Sequence, residues 1–220
     1  MSTAGAPRCV VFDLDGVIAD SEPLHARANA EYFAGLGPGL VDEALLDSMM
    51  GRRVRDLTDV VARRSRRPPD EVFAERERVF WRLLEEGLEP RPGVQEAIAR
   101  LRAAGLTLAV ASSGTRGYVA HVLRALGIAD RFAAIATGED VRRGKPAPDV
   151  YLLAAERLGV APGVCAAVED APAGVAAARA AGMHVVAVPD GRTVGMDFTG
   201  ADAVVPDLAG AADWLLALTR

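Results

Sequence analysis

Apolar positions along the chain follow two rhythms. Residues 9–14 (CVVFDL) form a short, β-branched apolar run, the pattern of a buried strand. Asp15-Gly16 ends it, and from 21 onward the apolar spacing turns helical. Ser21 is placed to cap a first helix with Pro23 in its first turn, running to about Gly35. The GLGPG stretch at 35–39 breaks that helix, and further helices are predicted over 41–50 and 53–65 and from Pro68-Pro69 onward. The fourth carries Val72, Phe73, Val79, Phe80, Leu83 and Leu84 on one face. Phe73, Phe80 and Trp81 are read as core of this helical unit, and Arg76 and Arg78 as exposed.

After the EPRPG stretch at 89–93 helix and strand alternate. Helices are predicted at 93–104, 115–126, 148–158, 172–181 and 208–218, and strands at 106–111, 132–137, 164–168, 184–188 and 203–205. This alternation predicts an α/β fold, a doubly wound parallel (Rossmann-like) sheet that includes strand 9–14. The expected division is a core of residues 1–20 and 89–220, with an all-helical cap, 21–88, spliced in after the first strand. Ligands of open α/β sheets bind beyond the carboxyl ends of the strands, so a unit inserted there would cover the site as a lid.

Four polar groups fall at predicted strand ends. Asp13 and Asp15 stand two apart, and strand side chains at i and i+2 share a face. Two adjacent carboxylates repel in a core but suit a divalent cation or a nucleophile with an acid–base partner. Ser112-Ser113-Gly114-Thr115 offers hydroxyls and free N–H groups at a helix start, an anion-binding pattern. Arg142-Arg143-Gly144-Lys145-Pro146 points a cation from a proline-fixed turn, and Glu169-Asp170 adds a second acidic pair. Lys145 is the only lysine among 25 basic residues, which hints at a place where a compact ammonium serves and a guanidinium does not. Together the groups describe a phosphoryl site. Asp13, Asp15 and Asp170 are hard oxygen ligands for Mg²⁺, Ser112 and Lys145 hold the phosphoryl oxygens, and a carboxylate attacks phosphorus to give an aspartyl-phosphate.

The composition narrows the partners. Thirty acidic against 25 basic residues give a net charge of −5, which argues against a nucleic-acid binder. No apolar run is long enough to span a bilayer, and the opening MSTAGAPR lacks an apolar signal core, so a cytoplasmic location is expected. Cys9 and Cys165 lie in strand-like runs and are expected to be buried, reduced thiols. The basic run at 63–67 is read as solvated surface, and a monomer or weak dimer is expected.

The segments DLDGVIADSEPLH (13–25), the Ser112 strand end, GKPAPDVY (144–151) and VEDAPAG (168–174) resemble, in order and spacing, the four motifs of the haloacid dehalogenase superfamily. The likeness is to the helical-cap branch that holds phosphoglycolate phosphatases, sugar-phosphate phosphatases and β-phosphoglucomutases. It implies Asp13 as nucleophile and Asp15 as the acid that protonates the leaving oxygen and then activates water. It further implies Ser112 and Lys145 as phosphoryl holders and a Mg²⁺ site of Asp13, the Asp15 backbone carbonyl and Asp170, with Glu169 close by. Dehalogenases of the superfamily lack the Asp-x-Asp pair, so dehalogenation is not expected. Relatives usually carry serine after Glu-Asp; Ala171 here removes a hydroxyl that would cap the next helix.

The cap is expected to set the substrate. The candidates are the loop with Gly51, Arg52, Arg53 and Arg55, where arginine suits a second anionic group, and His25 near the hinge. Ser113 is the further core candidate. A Mg²⁺-dependent phosphatase of a small phosphorylated metabolite is the leading reading and a β-phosphoglucomutase-like mutase the alternative. A non-catalytic phosphometabolite binder is disfavoured because no group is missing. Phosphonate cleavage through a Schiff base is disfavoured because the cap has no lysine.

Overall fold

The computed structural model describes residues 6–219; the reading of the N-terminus as leader-free falls mostly on 1–5, outside the described residues. Strand β1 (Cys9–Phe12) is buried on both faces. Val10 and Phe12 enter one apolar cluster and Cys9 and Val11 the other, as the period of two demands. Around it lie β2 (Thr107–Ala111), β3 (Ala134–Ala136), β4 (Cys165–Glu169), β5 (His184–Ala187) and β6 (Ala203–Val204), in the order β3-β2-β1-β4-β5-β6 with every pairing parallel. On the Val10/Phe12 face pack α5 (Val94–Ala103), α6 (Arg116–Ala125) and α9 (Leu208–Leu218); α7 (Asp149–Leu158) and α8 (Pro172–Ala180) cover the other. The doubly wound α/β expectation is met. Cys9 and Cys165 are buried, free and register partners in β1 and β4.

The strand order reverses at β1: the chain winds out through β2 and β3, then returns to lay β4 on the other side. In such sheets the crevice at the reversal is where ligands bind. The register pairs Phe12 with both Val110 and Val168, so the residues after β1, β2 and β4 emerge at one level. Asp13 is tied there by its N–H, which donates to Val168 O at 3.0 Å.

Between β1 and α5 the chain forms α1 (Glu22–Ala34), α2 (Glu43–Ser48), α3 (Val54–Ser65) and α4 (Pro69–Leu84). Phe33, Leu45, Leu57, Val61, Ala62 and Val72 make an apolar cluster of their own there. The outgoing and returning chains pair side by side, with Asp20 N–H on Glu89 O and Arg91 N–H on Ile18 O, both at 2.9 Å. Ser21 differs from expectation. Its backbone is already helical and its hydroxyl makes no cap bond; it donates instead to Asp15 Oδ1 at 2.5 Å. Arg78 is exposed as expected, but Arg76 is 1% exposed, because Asn29, His25 and Glu77 satisfy its guanidinium inside the bundle.

Strand β3 is shorter than its apolar run because Asp140 captures Thr137. Asp140 Oδ2 accepts from Thr137 N–H at 2.9 Å and Thr137 Oγ1 at 2.8 Å, while Arg116 and Arg157 pair with the same carboxylate at 2.6 and 3.0 Å. Burial works against the charged form, but these donors outweigh it and hold the carboxyl well below its usual value. A depressed folded pKa stabilises above the unfolded value, ~3.9, and that stability is lost as pH falls below it. Asp140→Asn is therefore expected to cost about 1–3 kcal/mol at pH 7, from charge-assisted bonds lost. Urea melts of both proteins should converge at acid pH.

Candidate active site

All four strand-end groups meet at the reversal point. Lys145 Nζ stands 2.8 Å from Asp13 Oδ1 and 2.6 Å from Glu169 Oε1. Tyr151 donates its hydroxyl to the same Glu169 oxygen. Asp13, Ser112, Lys145, Glu169 and Asp170 are all buried. One carboxylate oxygen from each of Asp13, Glu169 and Asp170 lies within 4.8 Å of the others. The Asp13 ion pair is off hydrogen-bond alignment, so its Oδ1 has no donor. Burial, with Glu169 and Asp15 nearby, pushes the Asp13 carboxyl up to about 8 against the pull of Lys145. Burial, with Asp13, Glu169, Asp190 and Glu22 nearby, pushes Asp170 well above its usual range. Burial would lower Lys145, but Asp13 and Glu169 more than offset it and keep the ammonium charged. Three hard carboxylates against one cation, with a buried oxygen left without a donor, suit a divalent cation.

Two glycines let the parts approach. A side chain on Gly16, which sits at φ +77°, would meet Asp170 Oδ2 at 2.1 Å. Gly51, at φ +73°, lays the α2–α3 loop on Ala171, whose Cβ would stand 2.8 Å from a Cβ there. Ala171 precedes α8 and gives it no side-chain cap, as expected from the missing hydroxyl.

Above this floor is a cavity of about 480 Å³. Asp13, Asp15, Asp170, Ser113 and Gly114 line it from the sheet side, and His25, Gly51, Arg52, Arg53 and Arg55 from the helices. Ser112 and Lys145 lie beneath the lining, with Ser112 Oγ accepting from Gly114 N–H at 3.0 Å. Ser113 donates to Gly51 O at 3.0 Å, joining the sheet side to the helical loop. The three loop arginines divide. Arg53 pairs with Asp56 at 3.0 Å and reaches Arg142 O at 3.4 Å; Arg55 pairs with Asp59 at 3.1 Å and with Asp70. Among the described residues Arg52 makes no ion pair and is exposed. The three aromatics expected in the helical unit's core are elsewhere: Phe80 is buried and Trp81 half-buried in the cluster shared with the sheet, and Phe73 is half-buried on the cavity wall beneath Arg55.

Asp15 is set apart from the acidic cluster. Its Oδ1 accepts from Ser21 and Tyr118, each at 2.5 Å, and His25 Nε2 lies 3.9 Å away. Burial would raise this carboxyl, but His25, Ser21 and Tyr118 together hold it below its usual value. Arg76 Nη2 stands 2.8 Å from His25 Nδ1; a guanidinium only donates, so Nδ1 accepts and the ring proton sits on Nε2, facing Asp15.

The polar lining residues that sequence reasoning missed include Glu22, Asn29, Glu77, Tyr118 and Arg192, and Arg76, read there as exposed, also lines the cavity. Glu22 lies inside the DSEPLH segment and was legible there. Arg192, in the loop after β5, reaches Glu22 at 3.9 Å and Asp47 at 3.4 Å and carried no local signal.

A family model described as haloacid dehalogenase-like hydrolase matches residues 7–182. The chain is 36% identical to protein CbbY of Rhodobacter capsulatus over 93% of this chain and 95% of that one. It is 37% identical to hexitol phosphatase B of Escherichia coli K12, over 86% of each. A crystal structure of a CbbY variant from Rhodobacter sphaeroides with xylulose-(1,5)bisphosphate superposes with a TM-score of 0.80 at 31% identity, covering 92% of this chain and 95% of that one.

Proposed function

The chain belongs to the haloacid dehalogenase-like hydrolases and is a phosphoric monoester hydrolase, and we propose that it is a Mg²⁺-dependent phosphatase of sugar or sugar-alcohol phosphates acting through an aspartyl-phosphate on Asp13. The observation that carries this reading is the buried Asp13–Lys145–Glu169–Asp170 cluster at the floor of the cavity. In this reading residues 21–88 act as a cap over a core of 1–20 and 89–220.

Asp13 attacks phosphorus in line, and Lys145 with Ser112 and the Ser113–Gly114 backbone takes up the charge of the phosphoryl oxygens. Asp15 takes up a proton as the anionic phosphoryl group binds beside it, gives it to the leaving oxygen, and regains one from the water that hydrolyses the aspartyl-phosphate. Asp13, Asp170 and the Asp15 backbone carbonyl, with Glu169 behind, would hold Mg²⁺, which would supply neutralisation of the charge that develops on the transferring group. Glu169 anchors Lys145 from below, so the ammonium faces Asp13 in one place.

The alcohol half of the substrate would lie against Glu22, Asn29 and Glu77, which suit hydroxyls, and against Met50 and Phe73. Relatives named for hexitol phosphate and crystallised with a sugar bisphosphate support that class. Arg52 is the arginine left to receive a second anionic group. The test is phosphate release, with and without Mg²⁺, from hexitol phosphates, sugar mono- and bisphosphates, phosphoglycolate and β-glucose 1-phosphate. Release from sugar or hexitol phosphates that stops without Mg²⁺ is expected. Glucose 6-phosphate appearing without free phosphate would replace the reading with a mutase.

A further inference from the structure

We propose that Tyr118 is a positioning residue for Asp15: it fixes Oδ1 of that carboxylate and leaves Oδ2 as the atom that exchanges protons with the substrate. The inference rests on the proton-transfer role given to Asp15 above.

Tyr118 is 4% exposed, and its ring is held on every side. It lies in the first turn of α6, where Thr115 Oγ1 accepts its N–H at 3.3 Å. Below, the ring rests on Gly114 of the anion loop; a Cβ at 114 would stand 2.7 Å from Tyr118 Cδ1. Above, Phe80 and Trp81 of α4 meet it edge-on, at 5.4 and 6.5 Å between centroids, and His25 of α1 does so at 6.3 Å. A ring so confined has one place for its hydroxyl, which donates to Asp15 Oδ1 at 2.5 Å.

Ser21 donates to the same oxygen from the opposite element, the start of α1. Two hydroxyl donors on Oδ1 consume that oxygen as an acceptor. Among the described residues no donor is assigned to Oδ2, and Asp15 lines the cavity. The carboxylate is thereby held in one rotamer with a free oxygen toward the substrate, the kind of fixed geometry on which proton transfer depends. Because α1 and α4 pack the ring that carries the hydroxyl, seating of the helical segment and aim of Asp15 are linked through Tyr118.

The test separates leaving groups. A nitrophenolate leaves without a proton; a sugar or hexitol alkoxide needs one. Single-turnover leaving-group release is measured from p-nitrophenyl phosphate and from the sugar or hexitol monophosphate that the substrate panel ranks first. Tyr118→Phe keeps the ring and removes only the hydroxyl. It is expected to slow release from the alkyl ester roughly 10- to 100-fold, with release from the nitrophenyl ester within about twofold and KM for both nearly unchanged. Ser21→Ala is expected to show the same selectivity through the other donor, and reads the effect even where Tyr118→Phe folds poorly. Equal loss on both esters, or no loss on either, overturns the proposal. Asp15→Asn measured alongside keeps the premises apart. If it discriminates between the esters and Tyr118→Phe and Ser21→Ala do not, the positioning inference fails alone. If Asp15→Asn does not discriminate, the role of Asp15 fails with it.

Discussion

Asp13→Asn is expected to reduce turnover by at least ~10⁴-fold while raising the stability of the metal-free protein. The amide has no charge and no nucleophilic oxygen of comparable strength, so the covalent route is closed. Stability moves the other way because the folded cluster raises the Asp13 carboxyl to about 8: above the unfolded value, ~3.9, holding or protonating it costs folding free energy that an amide does not. Asp13, Glu169 and Asp170 crowd their oxygens within 4.8 Å, and only Lys145 offsets them. An asparagine leaves two carboxylates against one ammonium, and Lys145 keeps its 2.6 Å bond to Glu169. In a protein of this size each kcal/mol gained moves the melting midpoint by about 2–4 °C, and an upward shift is expected. Mg²⁺ should then matter less. A ligand at 100 times its Kd stabilises a protein by about 2.7 kcal/mol, and the wild type should gain on that scale where the variant gains little. Calorimetry with and without Mg²⁺, run beside a phosphate assay, checks both halves. Turnover at the per cent level would remove Asp13 from the chemistry assigned to it, and a fall in the metal-free midpoint would overturn the electrostatic half.

Why the floor of the site could be read in advance while its walls could not follows from how each is encoded. Asp13, Ser112, Lys145 and the Glu169-Asp170 pair each follow a strand or sit in a proline-fixed turn, and parallel register brings strand ends to one level. Short-range pattern therefore carried long-range geometry. The helical elements were equally legible in kind; α3 matches its expected range to within a residue, and α4 begins at its proline signal.

The walls depend on side-chain partners far apart in sequence. Arg76 looked like a surface arginine because nothing near it announces His25 and Asn29, which neutralise the cost of its burial. Ser21 carried an N-cap signature, yet its backbone is helical and its hydroxyl donates to the charged Asp15 carboxylate in place of accepting from the helix N–H groups. Tyr118 sits among apolar helix positions with no local sign of a role; only the position of Asp15, 103 residues away, gives its hydroxyl a purpose. Arg52, Arg53 and Arg55 were one undivided cluster in sequence and become three different environments once Asp56, Asp59 and Asp70 are placed.

Lys145→Met is expected to be the most damaging single change to the fold as well as to turnover. Methionine fills much of the same volume without a charge, so what the variant loses is the cation. Asp13 and Glu169, which it contacts at 2.8 and 2.6 Å, would be left buried beside Asp170 with no counter-charge. Breaking a buried ion pair from one side costs about 3–5 kcal/mol, because the surviving charge stays desolvated. Loss of a donor to the phosphoryl oxygens costs a further ~10²–10³-fold in kcat in the fraction that folds. Lys145→Arg should not rescue either property. The guanidinium is broader than the ammonium, and Tyr151, whose ring centroid lies 5.1 Å from Nζ, closes the space it would need. The double variant Lys145→Met/Glu169→Gln separates the two effects. Removing the stranded Glu169 charge should return a part of the stability, measured by urea unfolding, and none of the turnover, so the two losses would not be additive in stability. A double variant no more stable than Lys145→Met alone would mean that the buried charges are solvated by some other route. The single lysine of the chain would then be needed for the substrate and not for the fold.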